Sequence, residues 1–218
     1  MKLYSIHFNR PDFVEIQYEQ SKKYNHQLVV VNNGRNPQIK EVAERLGVEY
    51  LETHNYSYGS LSHGVSINQI LPLIDMQSDW GLIDHDLFIT SDIEFGDSDI
   101  ITKPCDNIPA TPYMWPGFLI CKGGVDLSDI DFRPGIGIPA DTGSDTFRKV
   151  KDYKISWINE TYYGERNKHL VQDSNIICQF YNGDKLLAYH YLNGSNWTGG
   201  DSIESKNKIL LELIRNPR

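Results

Sequence analysis

Between residues 2 and 89 the chain alternates β-branched apolar runs with segments of helical period, and this alternation constrains the fold more than any other feature. A first strand reads KLYSIHF (Lys2–Phe8); the turn NRPD follows, with Pro11 placed to open a helix running to about Tyr24. QLVVVNNG (Gln27–Gly34) is a second strand closed by a turn signal, and PQIKEVAERLG has apolar residues at helical spacing with Gly47 as its C-cap. VEYLETH is a third strand, SYGSLSHGVSINQILPLI a loop and helix, and WGLIDHDLFI (Trp80–Ile89) a fourth strand. Such alternation packs as α/β layers around a parallel sheet, whose ligands collect beyond the carboxyl ends of the strands.

The fourth strand carries Asp84 and Asp86 inside an apolar run. A buried carboxylate loses its hydration and must change its protonation or find a cation. Residues two apart in a strand share a face, so both aspartates are expected to converge on one object while His85 points away. Hard oxygen ligands suit Mg2+ or Mn2+, ions that keep positions open for water and phosphate. The same pair also fits solvated turn carboxylates.

Beyond residue 95 the pattern changes to Pro- and Gly-rich stretches with short strands between turns, as expected of a lid or acceptor platform. A helix is expected from Asp141–Thr146 to about Tyr153, strands at KISWINETYY and DKLLAYHYL, and a terminal amphipathic helix at SIESKNKILLELIRN. The 218 residues suit one domain, 1–218, with a first half to about residue 95 and a second from about 96. A net charge of -8 argues against a general nucleic-acid binder, which needs a cationic footprint. Cys105, Cys121 and Cys178 form no CxxC, so neither a disulfide framework nor a zinc site is expected, and a reducing compartment fits. Neither a signal peptide nor a transmembrane segment is evident, which points to the cytoplasm. The sequons beginning at Asn55, Asn159 and Asn196 are then chance matches.

The order of strand, NRP turn, VVVNNG, the GSLSHGVSINQIL helix and LIDHDLFI resembles the nucleotide-sugar half of GT-A glycosyltransferases. That resemblance implies an α/β, Rossmann-like nucleotide-diphospho-sugar transferase fold, with a central mostly parallel sheet flanked by helices. It places Asn9, Arg10, Asn32, Asn33, Asp84 and Asp86 where the family holds base, diphosphate and metal, and His63 beside the diphosphate or ribose. One departure is that the family's second strand usually ends in Asp, where this chain has Asn32 and Asn33; an amide still reads a base edge, having donor and acceptor. YMWPGFLICK, DTGSD and HYLNGSNW are similar to WPG, DTG and late histidine elements of small glycosyltransferases of bacterial surface-glycan pathways and large viruses.

The late segment also resembles the HxxGxxKPW element of retaining GT-A enzymes, and by that resemblance His190 is the third metal ligand, completing a site for Mn2+ or Mg2+ with Asp84 and Asp86. Asp141 is the catalytic base, with Asp145 in reserve, although both also suit helix capping; Trp115 and Gly117 shape the acceptor side. The implied partners are a nucleotide-sugar donor and a carbohydrate acceptor, and the implied reaction is hexosyl or deoxyhexosyl transfer, inverting in style. Two other readings remain: a metal-dependent phosphatase of the haloacid dehalogenase type, whose DxD normally opens the chain, and a non-catalytic carbohydrate-binding module on the same fold.

Overall fold

In the computed structural model, which describes residues 1–34, 36–54, 59–105, 112–162, 177–191 and 203–215, the alternation builds a central sheet. In chain order come β1 (Lys2–His7), α1 (Pro11–Lys23), β2 (Gln27–Asn32), α2 (Pro37–Leu46), β3 (Glu49–Glu52), α3 (Gly59–Ile70), β4 (Trp80–Asp84) and β5 (Leu87–Ile89). Pro11 and Pro37 open their helices at a position where no N–H is needed. The Asn36 side chain caps α2 by accepting from the Gln38 amide at 3.0 Å, and Gly47 ends it at φ 68°, a left-handed turn that glycine adopts without strain.

The second half adds β6 (Ile100–Cys105), β7 (Tyr113–Cys121), β8 (Ile155–Trp157), β9 (Asn159–Tyr162), β10 (Cys178–Asn182), β11 (Lys185–His190) and α4 (Ile203–Arg215). The central sheet has seven strands in the order β3-β2-β1-β4-β7-β6-β8, all parallel in direction except β7. A second sheet, β5-β11-β10-β9, is antiparallel. Beyond residue 95, β6, β7 and β8 complete the same sheet as β1 to β4.

Three expected elements differ. WGLIDHDLFI is two strands: β4 pairs with β1 in the central sheet, and β5 pairs with β11 in the second, so the chain changes sheets across His85 and Asp86. KISWINETYY likewise splits into β8 and β9, one in each sheet. The helix expected over 141–153 is a single 3-10 stretch, Ser144–Lys149. There the Thr146 hydroxyl accepts from the Met114 amide at 2.8 Å and reaches the Gly143 carbonyl at 2.7 Å, tying the turn to β7. β10 was not anticipated, yet Asn182-Gly183 before Lys185 is a tight hairpin signal, and Gly183 has φ 59°.

Both faces of the central sheet are covered. Leu3, Val30, Ile83 and Ile120 pack against Val14 of α1, Ile39 and Ala43 of α2, and Phe180 and Ala188 of the second sheet. Tyr4, Val29, Leu82 and Leu119 pack against Ile67 and Ile70 of α3 and against Leu127 and Phe132. Burial on both sides explains why the parallel strands read as continuous apolar runs. α4 closes a third cluster, in which Leu210 and Leu213 meet Phe13, Phe88 and Tyr189. Among the described residues no helix is long and apolar enough to cross a membrane.

Candidate active site

α1 and α2, which link β1 to β2 and β2 to β3, pack on one face of the sheet, whereas α3, which returns the chain to β4, packs on the other. The crossover directions reverse between β1 and β4, and a crevice opens at their carboxyl ends, as α/β geometry requires. Its walls are Ile6 and Phe8 at the end of β1, Asn33 after β2, Asp84, His85 and Asp86 at the end of β4, Trp115 of β7, Gly59, Ser60, Ser62 and His63 at the start of α3, and Asp141 with Thr142.

Asp84, Asp86 and His190 each offer a ligand atom, and these atoms lie within 4.8 Å of one another. The carboxylates converge through the sheet-crossing turn and not, as expected from sequence, through alternation along one strand. His85 is part of the crevice wall, and its ring stacks on Phe13 at 6.2 Å between centroids. His190 is brought in by β11, whose register sets it opposite Leu87, and the Tyr191 amide donates to the Asp86 carbonyl at 2.8 Å. Its Nε2 lies 3.4 Å from Asp86 Oδ1, with both side chains under a tenth exposed. Burial pushes the His190 pKa down, but the Asp86 carboxylate, with Asp84 beyond it, outweighs burial and raises it above the ordinary value. Two carboxylate oxygens and an imidazole nitrogen suit a divalent metal ion, and the buried Nδ1 of His190 has no hydrogen-bond partner among the described residues.

His63 Nε2 sits 3.1 Å from Asp84 Oδ1, within ion-pair range but out of hydrogen-bond alignment. Asn33 and Asn32, adjacent in sequence, part company. Asn33 exchanges hydrogen bonds with Ser62 at 2.7 and 3.0 Å, accepts from Ser66 at 2.7 Å, and lines the crevice. Asn32 faces away, donating to the Asn36 carbonyl and the Tyr50 hydroxyl at 3.2 and 3.1 Å. Neither Asn9, which is exposed, nor Arg10 lines the crevice. The Arg10 guanidinium pairs with Asp12 and lies 3.6 Å over the Phe13 ring. Asn68 is structural, bridging α3 to Asp131 and to the Phe132 amide.

Asp141 is exposed on the crevice wall, where its Oδ1 accepts from the Thr142 amide at 2.7 Å. The Thr142 hydroxyl donates to the Ser60 carbonyl at 2.7 Å, fixing that turn against α3. Asp145 is buried in a fork with Arg148, two bonds of 2.7 Å, which with the Asp131 amide holds its carboxyl below the usual range. Arg148 and Lys149 also pair with Asp129 and do not line the crevice. The wall residues Ile6, Phe8, Gly59, Ser60 and Thr142 were not anticipated; Thr142 adjoins Asp141, and nothing in the identity of the others marks them. The GSNW segment with Trp197, and the sequons at Asn55 and Asn196, lie outside the described residues.

Trp115 is seated by Gly117. A Cβ at residue 117 would fall 2.1 Å from the indole Cζ2, and the indole is hemmed in by Phe180 and His190 at centroid distances of 6.0 and 5.2 Å and by Lys103, which pairs with Glu160. Gly117→Ala is therefore expected to cost about 1–3 kcal/mol and to push Trp115 off its place, read by urea unfolding and by a change in indole fluorescence.

His7 is fully buried, and burial, with His85 nearby, holds its pKa down to about 3. Unfolded histidine takes a proton near pH 6.5, so below that pH the unfolded chain gains protons that the native chain refuses. The stability His7 contributes is full above pH 6.5 and is lost as pH falls toward 3, at up to about 1.4 kcal/mol per pH unit. In metal-free buffer the urea midpoint is expected to fall more steeply from pH 7 to 5 in the wild type than in His7→Gln.

No family model and no curated protein matches the sequence. Solved glycosyltransferase structures are similar to the chain. The mannosyltransferase PcManGT from Pyrobaculum calidifontis, in complex with GDP-Man and Mn2+, aligns over 71% of this chain and 53% of its own, at 11% identity and a TM-score of 0.45. S. aureus TarS 1-349 aligns over 71% and 56%, at 14% identity and 0.47, and the apo-form of GlyE from Streptococcus pneumoniae over 70% and 44%, at 10% and 0.41. The chain thus spans about half the length of the solved structures it matches.

Proposed function

We propose that the protein is a metal-dependent glycosyltransferase that moves a sugar from a nucleoside-diphosphate donor to a carbohydrate hydroxyl with inversion. One observation carries this reading: Asp84, Asp86 and His190, remote in sequence, meet at the sheet's switch-point crevice. A divalent ion held by them supplies neutralisation of the charge that grows on a departing diphosphate.

The chain's own groups account for the rest. The start of α3 directs backbone N–H groups and the positive end of its dipole at the crevice, where a diphosphate is favoured, with His63 and Asn33 beside it. Trp115 offers an apolar ring face for an acceptor sugar. As the acceptor oxygen attacks the anomeric carbon, the C–O bond to the diphosphate breaks and Asp141 takes the hydroxyl proton. Three free cysteines fit a cytoplasmic setting.

A panel of nucleotide sugars, each with and without MnCl2, tests the reading by thermal unfolding. At a hundredfold excess over its Kd a true donor is expected to raise Tm by about 5–10 °C, and only with the metal. Stabilisation by glycans alone would instead favour a binding module.

A further inference from the structure

We propose that Gln17, a residue that touches neither the crevice nor its ligands' side chains, is the positioning residue that fixes the turn carrying Asp84 and Asp86; this rests on the metal-dependent reading above. The carboxylates sit on a crossing where the chain leaves one sheet at Asp84 and joins the other at Leu87. His85 and Asp86 lie between the two ladders, where the Tyr191 amide holds the Asp86 carbonyl from one side and the two ends of the arc need a second hold from the other. Gln17 provides it from α1: its Nε2 donates to the Asp84 carbonyl at 2.8 Å and to the Leu87 carbonyl at 2.7 Å. Two acceptors bound to one nitrogen are held close together, and the arc between them is the one that aims Asp84 and Asp86.

The amide is itself locked. Its Oε1 accepts from the Ser5 hydroxyl at 2.7 Å and lies 2.9 Å from His7 Nε2, which must be the protonated nitrogen there. A flipped amide would set its oxygen against two carbonyl oxygens, so the orientation is unique, and every donor and acceptor of the group is used. Gln17 is 1% exposed and shares the buried face of α1 with Phe13 and Val14. Packing alone would be served as well by Leu or Met, without burying an amide.

Isothermal titration of the full chain with MnCl2 tests this. Gln17→Met keeps length and volume and is expected to bind Mn2+ about 10–100-fold more weakly. Ile39→Ala, a buried truncation in α2 away from the crevice, is expected to lower Tm and yet keep the Mn2+ Kd within about twofold, which separates positioning from lost stability. Ser5→Ala removes one hold on Oε1 only and is expected to weaken Mn2+ binding less than Gln17→Met; it carries the test if Gln17→Met does not fold. Wild-type affinity in Gln17→Met, or in Ser5→Ala when only that variant folds, overturns the role of Gln17 alone. A wild-type chain that binds no Mn2+ overturns the metal-dependent reading and this role with it.

Discussion

Asp86→Asn is expected to lower kcat/KM for sugar transfer by about 10²–10³-fold, because it removes one ionic ligand from the proposed metal site. Asp86 is 5% exposed, and its Oδ1 lies 3.4 Å from the His190 imidazole. Two acids and one base that close together carry a net negative charge, which is what a dication requires and what a merely structural ion pair does not. Asparagine preserves the shape and leaves an oxygen facing His190 Nε2, so Tm in EDTA is expected to change little. Initial rates across an Mn2+ titration, read beside that Tm, check both halves. A fall in stability with unchanged rates would mean that the cluster serves the fold alone.

Asp141→Asn and Asp145→Asn are expected to give opposite signatures although the residues lie four apart. Asp141 stands exposed on the crevice wall with one oxygen engaged by Thr142, so its loss is expected to cut kcat by about 10²–10⁴-fold with little change in stability. Asp145 is held by Arg148, which keeps the carboxyl ionised and makes it a poor proton acceptor. Its amide variant is expected to keep kcat and lose about 1–3 kcal/mol, the worth of a charge-assisted bond to a buried acid. Single-turnover rates and urea unfolding of the two variants separate them; unchanged rates in Asp141→Asn would move the base elsewhere.

The parallel core was legible because β1, β2 and β4 are buried on both faces, so KLYSIH, QLVVVN and WGLID carry their own signal. The two sheet crossings were not. Nothing local in His85 or Ile158 marks a change of sheet, since it is decided by remote partners: β1 for β4, and β11 for β5. Asp84 and Asp86 were singled out by motif and His190 by resemblance, and the structure brings the three together, while which of Asn32 and Asn33 lines the crevice waited on which of two adjacent side chains faces Ser62. Gln17 was invisible for a different reason: a polar residue in an amphipathic helix reads as surface until its four hydrogen bonds are seen.

Pulsed EPR of the protein loaded with one equivalent of Mn2+, before and after addition of a nucleoside diphosphate, bears most directly on the shared ion. The expected spectrum shows a directly bound imidazole nitrogen that disappears in His190→Gln, and a phosphorus coupling that appears with the diphosphate. A spectrum of aquated Mn2+ alone, or a nitrogen signal indifferent to residue 190, would contradict the assignment of Asp84, Asp86 and His190 to one metal.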